Sequence, residues 1–587
     1  MGNPVVRGVR ARWLVLGLAA AAVVVLAALA WVGVRALMAK SEIDQVTSHI
    51  DELRQAVGDG DLDTLAKVAD EVAPHVQRAD ALTGDPIWRA TEVVPVLGPN
   101  LAAARVSSSQ LDVLVNDLAL PLLKDLPHLG DNKGGIDVST LQSVAATLQG
   151  VDAALQTGTR EFASLDLDTT IPAVGDGARQ LQKITDQVAP VIHSVAPVAR
   201  IAPDLLGADG TRHILMIVQN NAELRTAGGI SGSFVELTAD KGHVALSKVA
   251  SDAVFPEPKK PVAEVPLSLT KLYGPAVGTR VQNTTIPADF AVTADLASAW
   301  WKLHAGTTPD AVLAIDPAVL AALLRATGPV TVDGVTLTPD NTVHELLVNS
   351  YLTLDEDEQD PFFAAVATAV FAHVTSGSAD PATLVRALAQ PLDEGRISLW
   401  SAKPNEQKVL TATALGGPAA RHTTAGRDAY AVYFNDATGS KMDSFLRTSI
   451  AVGTGQCRTD GHGDVAVTVE LESTAPDDAG TSLPGPMTGW GLSGTPAGDI
   501  RTIVTVAAPP GTVFDGVTVQ GKTVTTAGVE DAGFPSSPVT VLLTPGQHKT
   551  IEFRFTAAHT GTVRPVILHT PMINAPEVST DGTVDCG

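Results

Sequence analysis

Cysteine, aromatic side chains and positive charge are all scarce in this chain. Only Cys457 and Cys586 occur in 587 residues, and neither sits in a CxxC or HxxxH spacing, so the sequence offers no zinc-ligand pattern. Aromatics make up 4% of residues against 45% hydrophobic ones, so any core must be built mostly from aliphatic side chains. Forty Lys and Arg face 64 Asp and Glu, a net charge of −24. Nucleic acid is excluded as a partner on that balance, because phosphate backbones are held by clustered positive charge. Nucleotide and hydrolase signatures are missing too: there is no P-loop, no GxGxxG and no GxSxG. The 14 histidines are scattered without metal-ligand spacing, and nothing in the sequence singles out a catalytic residue.

Long apolar runs are also rare, with one exception. Trp13 to Val34, "WLVLGLAAAAVVVLAALAWVGV", has no ionisable side chain and a Trp near each end. About 20 apolar residues at 1.5 Å rise span a bilayer core. Arg7, Arg10 and Arg12 precede the run, and the first 40 residues contain no acid. The positive-inside rule then puts the N-terminus in the cytoplasm and the bulk of the chain outside it, as a single-pass membrane protein. Ala28-Leu29-Ala30 resembles a signal-peptidase site, so cleavage is the competing reading, but the run exceeds the 7 to 15 residues usual for a cleaved signal. In an oxidising exterior Cys457 and Cys586 are expected to pair; two buried thiols are the alternative.

Length predicts several units. Residues 1–40 read as tail and anchor. Residues 41–204 carry amphipathic helical patterns, as in "SEIDQVTSHIDELRQAV", and read as a stalk or bundle beside the membrane. Residues 205–430 alternate strands and helices. "HILMIV" at 213–218 is a buried strand, strands follow at 233–238 and 243–249, and after a strand at 311–315 Asp316 caps a helix with Pro317 in its first turn. Asp333-Gly334 turns a hairpin. From about Tyr430 to 587 short β-rich stretches separated by Gly, Pro, Asp and Ser predict an all-β sandwich with no helices. The fold class expected is multidomain α+β: transmembrane helix, helical membrane-proximal region, α/β core and C-terminal all-β sandwich.

The stretch "QNNAELRTAGGISGSF" at 219–234 stands out, because polar side chains and a Gly-Gly pair follow a buried strand. Read as a connection beyond a strand end, it offers Arg225 as an anion clamp, Asn220, Asn221 and Glu223 to orient a ligand, and Gly228 and Gly229 to let it approach the backbone. The structural alternative pairs Glu223 with Arg225 and leaves the asparagines to satisfy backbone groups. "LDEDEQDP" at 354–361 offers carboxylates for Ca²⁺ or a plain solvated charge run, and it lacks the spaced ligands of an EF-hand. Ser440-Lys441 is a nucleophile and base only by adjacency; a turn into a helix explains it as well.

Together with "PIWRATEVVPVLGPN" at 86–100 and "AIDPAVLAALLRATGPV" at 314–330, the 219–234 stretch resembles a bacterial domain-of-unknown-function family, DUF4012. That resemblance implies a membrane-anchored envelope protein of actinobacterial type without an assigned activity. The order of elements over 213–252 and the passage at 320–332 are also similar to the LytR-CpsA-Psr glycopolymer transferases. This second likeness implies a phosphate-gripping role for Arg225, an acidic role for Asp252, polyprenyl-phosphate-linked substrates and Mg²⁺. Two departures stand against it: Gly228-Gly229 lie where an aspartate is expected, and "ASDA" at 250–253 lacks a second arginine. The functional expectation is a role in cell-envelope polysaccharide assembly or display, with the membrane and an envelope glycopolymer or lipid-linked phosphate as partners and no evident cofactor. The alternatives are the transferase, with Mg²⁺, and a non-catalytic stalk or interaction protein.

Overall fold

The computed structural model describes the backbone of residues 5–584 except 60, 131–133, 377–380 and 527. It divides into two compact units, residues 1–129 with 137–203, and residues 130–136 with 204–587.

The first unit is helical. α1 (Val5–Thr47) holds the apolar run, which by length and composition is able to cross a membrane. α1 does not stop at the end of that run. Val32 packs on Trp88 and Leu101, the Trp31 indole donates to Asp85 at 3.3 Å, and Arg35 donates to the carbonyls of Ala81 and Leu82. Further along, Val46 joins Val68, Val72 and Val76 on the helix Leu62–Thr83, whose N-terminus Asp61 caps. The "PIWRATEVVPVLGPN" stretch is a corner around the buried Trp88, whose indole donates to the Leu101 carbonyl at 3.0 Å. Gly98 permits that corner, since a Cβ there would meet the Glu92 carbonyl oxygen at 1.9 Å. The last helix, Pro172–Leu205, runs through Pro190 and Pro197. Each proline removes one backbone bond, which a helix of 34 residues absorbs.

The second unit holds a five-stranded mixed sheet and a β-sandwich. β1 (Arg212–Arg225) pairs antiparallel with β2 (Gly228–Asp240) and parallel with β4 (Ala311–Ile315); β3 (His243–Ser251) and the strand Ser398–Ser401 lie at the two edges. Alternation along β1 separates its faces: Leu215 and Ile217 enter a core with Phe234, Trp300 and Trp301, while Met216 and Val218 turn the other way. Asp316 caps the helix Pro317–Thr327 by accepting from the amides of Ala318 and Val319, and Asp333-Gly334, both at positive φ, turn the expected hairpin. The sandwich has one six-stranded and one five-stranded sheet around aliphatic and Phe side chains such as Val467, Val504, Phe553 and Phe555. Its edges are closed by parallel additions of Val566–His569 onto Ala429–Asp436 and of Glu577–Thr583 onto Leu446–Gly455. Helices do not vanish after Tyr430, because single turns at Ala479–Ser482 and Gly485–Thr488 sit in the Pro- and Gly-rich stretch between strands.

Cys457 is disulfide-bonded; Cys586, its expected partner, lies outside the described residues. Thr583 pairs with Thr454 across the parallel strands, and in the sequence each stands three positions before a cysteine.

Candidate functional site

The 219–234 stretch is not a connection. β1 continues through it to Arg225, Thr226-Ala227 make a tight turn, and β2 begins at Gly228 with φ of 142°. The expectation of a loop failed because the polar side chains that signal one are buried and matched to each other. A register shift between Asn220 and Leu224 bulges the strand and redirects Asn221 and Glu223. Close backbone approach fixes Gly229, since a Cβ there would lie 2.1 Å from the Asn220 carbonyl oxygen.

The hairpin tip is held by side chains of the sandwich. Leu224 N–H donates to Asp443 at 2.8 Å, and Thr226 N–H to Asn435 at 2.9 Å. Arg225, 5% exposed, is spent on the same purpose: it donates to Asn283 at 3.0 Å, to the Leu224 carbonyl at 2.7 Å and to Glu223 at 3.1 Å. Glu223 also accepts from Lys441 at 2.7 Å. Burial pushes the Glu223 carboxyl up, but Lys441 and Arg225 outweigh it and hold the group below its ordinary range. Burial, reinforced by the neighbouring Asp436, raises the Asp443 carboxyl well above its ordinary value. Asn221 donates to Asp316 at 3.1 Å and to the Pro571 carbonyl at 3.0 Å, tying the motif to a helix cap that Arg396 also grips at 2.6 Å. Asn221, Glu223, Arg225, Gly228 and Gly229 therefore form one buried cluster.

Asn220 and Asp252 lie elsewhere, on the wall of a cavity of about 760 Å³. Its floor is the β1–β2 face with Met216, Val218 and Ile230, and one side is the helix Pro317–Thr327 with Leu320 and Leu323. Another side is the helix Glu356–Val374, whose Val366 and Val370 also pack in one cluster with Leu320. The lining face of that helix changes character along its length. Glu356, Asp357, Gln359 and Asp360 come first, then Phe363, Val366, Ala367, Val370 and Val374. From Asp360 to Val374 the helix advances about 20 Å. The "LDEDEQDP" charge run is thus the polar end of a cavity wall, with Asp355 and Glu358 forming the capping box. Among the described residues no group of three or more His, Cys, Asp or Glu side chains is arranged to hold a metal ion.

The polar end gathers groups from distant parts of the chain. Asn220 donates to the Tyr351 hydroxyl at 2.6 Å, and the Lys441 ammonium stands 5.5 Å from the centre of that ring. Burial raises the Tyr351 phenol to about 12, so at pH 7 it keeps a proton to donate. Asp252 accepts from Gln282 at 2.7 Å, and Asp360 from Ser251 at 2.5 Å. Burial, reinforced by Glu223 and Asp360, lifts Asp252 to about 6 against the pull of Gln282 and Lys441. Lys441 is the one base among the described lining residues, and its charge is already matched by Glu223.

Residues 209–351 match the family model DUF4012, described as a protein of unknown function. The DUF4012 segment contains the buried hairpin, Asp252, the helix Pro317–Thr327 and Tyr351, which together make the floor and one side of the cavity. The helix Glu356–Val374, Lys441, Pro486 and Trp490 complete the cavity from outside the DUF4012 segment. No curated protein matches the chain. Sequence reasoning reached Asn220 and Asp252 but missed the helix wall. Its signal was an acidic first turn running into apolar residues at three- and four-residue steps, which marks one face of a helix as well as any core stripe does.

Proposed function

We propose that the unit formed by residues 204–587 binds an amphiphile, with one aliphatic chain along the helix Glu356–Val374 and a polar head beside Asp252, Asp360, Tyr351 and Lys441. The observation that supports this is the gradient along a single wall, from carboxylates and an amide to Phe and Val over about 20 Å. A compact polar substrate leaves the Val366–Val374 end unsatisfied, and a wholly apolar one strands the carboxylates. The helix of α1 that is able to cross a membrane supports a ligand drawn from lipid. A role in envelope polysaccharide assembly fits this reading if the head carries saccharide. A polyprenyl-phosphate transferase would use the same apolar end, but Arg225 is enclosed by Glu223, Asn283 and the backbone, and it does not line the cavity.

The test uses the full chain in phosphatidylcholine nanodiscs and an alkyl probe with a photoreactive diazirine at its tail. Cross-links mapped by mass spectrometry are expected on Leu323, Val370 and Val374. An Ala367→Trp change, which fills the cavity, should remove those cross-links while leaving the melting temperature near that of the unchanged chain. Labelling confined to residues 13–30, and indifferent to Ala367→Trp, overturns the proposal.

A further inference from the structure

The polar end also identifies the kind of head. Trp490 lines the cavity although it is 53% exposed, and its backbone sits at φ 54°, a left-handed conformation that bulky side chains rarely adopt. The indole lies against Gly485, where a Cβ would meet its ring nitrogen at 2.0 Å, so the bare glycine leaves room for the ring in this position. Lys441 N–H donates to the Met487 carbonyl at 2.9 Å, which joins this turn to the Lys441 end of the cavity. An aromatic face is thus held open to solvent beside Asp252, Asp360, Tyr351 and Lys441, at a conformational cost that burial does not explain.

Resting on the amphiphile reading above, we infer that the head is an uncharged sugar, stacked on Trp490 and hydrogen-bonded to both donors and acceptors of the cavity wall. Sugar hydroxyls donate and accept, and the wall supplies both. Asp252 and Asp360 accept, while the Tyr351 hydroxyl and the Gln219 amide nitrogen donate, since the Gln219 carbonyl oxygen is already taken by Gly229 N–H at 3.2 Å. The polarised C–H face of a pyranose suits the negative face of an indole. An anionic head meets Glu356, Asp357, Asp360 and Asp252 with only one matched lysine to offset them. A quaternary ammonium suits Trp490 and the acids but leaves the Tyr351 and Gln219 donors unused and faces the Lys441 charge.

Three dodecyl competitors below their micellar concentrations separate these heads in the same photolabelling assay: dodecyl maltoside, dodecyl phosphate and dodecyltrimethylammonium. The maltoside is expected to suppress labelling of Val370 and Val374 at concentrations about tenfold lower than either charged competitor. Trp490→Ala, a change at an exposed side chain, should reduce that advantage to about twofold or less while chain labelling persists. Equal or better competition by the phosphate or the ammonium overturns the sugar head and leaves the amphiphile cavity standing. An advantage for the maltoside that survives Trp490→Ala overturns the stacking role. Absence of any labelling at Val370 and Val374 is the failure of the cavity reading itself.

Discussion

Asp252 is the residue at which the site reports on its surroundings. Its carboxyl titrates near 6 in the folded chain, chiefly because it is buried, against 3.8 when unperturbed. Between those values the folded state holds a proton that the unfolded state has released, so stability is greater at low pH, falls as pH rises across the window, and levels off above about 6. The full shift corresponds to roughly 3 kcal/mol, an upper bound because the group borders an open cavity. Asp436, also lifted to about 6 by burial and Glu223, slopes the same way. Urea unfolding of Asp252→Asn between pH 4 and 7 should therefore show a shallower decline than the unchanged chain, by about 1 to 2 kcal/mol. Parallel pH profiles for the two proteins would show that Asp252 is ionised throughout that range. Glu223 and Arg225 belong to a different class. Each is buried with partners on two sides, so they stabilise through mutual neutralisation and lose far more when one is removed than the pair is worth against apolar side chains.

Among the elements, those with local instructions were legible in the sequence. Asp316-Pro317 set a helix start, Asp333-Gly334 set a hairpin, and the strands at 213–218 and 311–315 were read from apolar runs bounded by turns. The β1–β2 hairpin was misread from sequence because its instruction is not local. Polar residues end a strand when water is the alternative partner; here the alternatives are Asn435, Asp443 and Pro571, more than two hundred residues away. The cavity was hidden for a similar reason, since its walls come from segments that are adjacent only after folding. The hairpin makes its own prediction. Gly229→Ala drives a methyl group into the Asn220 carbonyl, 2.1 Å away and part of the backbone, so the bulge or the pairing must give way. A loss of about 3 kcal/mol in urea unfolding is expected, against a few tenths for Gly232→Ala in the same strand, where the nearest atom would lie 3.6 Å away and, as at Gly229, φ is not in the left-handed range. Equal losses at both positions would mean that backbone freedom alone, and no close approach, sets the need for Gly229.

At the scale of the whole molecule, α1 divides into an apolar stretch able to cross a membrane and a stretch packed in the helical unit. Trp31, Val32 and Arg35 are engaged by the helical unit, and the stretch before them, Trp13 to Ala30, is about 27 Å of helix, long enough to match a bilayer core. A chain beginning at Trp31 is expected to remain in the supernatant after alkaline carbonate washing and to keep the stability of its helical unit. One beginning at Ser41 also stays soluble but uncovers Trp88 and Leu101 and breaks the Arg35–Asp85 pair, so its first unfolding transition should come about 2 to 4 kcal/mol earlier. Identical transitions for the two chains would show that residues 31–40 act only as membrane anchor.

The strands Val566–His569 and Glu577–Thr583 have a consequence in time as well as in space. Each supplies a sheet edge, and between them Thr570 and Pro571 bond to Thr226 and Asn221 in the hairpin. Synthesis delivers the hairpin some 350 residues before those partners, at about 5 to 20 residues per second. For that interval of tens of seconds Asn221, Glu223 and Arg225 have no finished enclosure, and the cavity they brace has no settled mouth. On the amphiphile proposal, a ligand present during synthesis meets an unfinished sheet, and one arriving later meets the completed cavity. Occupancy of the site is therefore open to being decided by when the chain is made and not only by how tightly it binds.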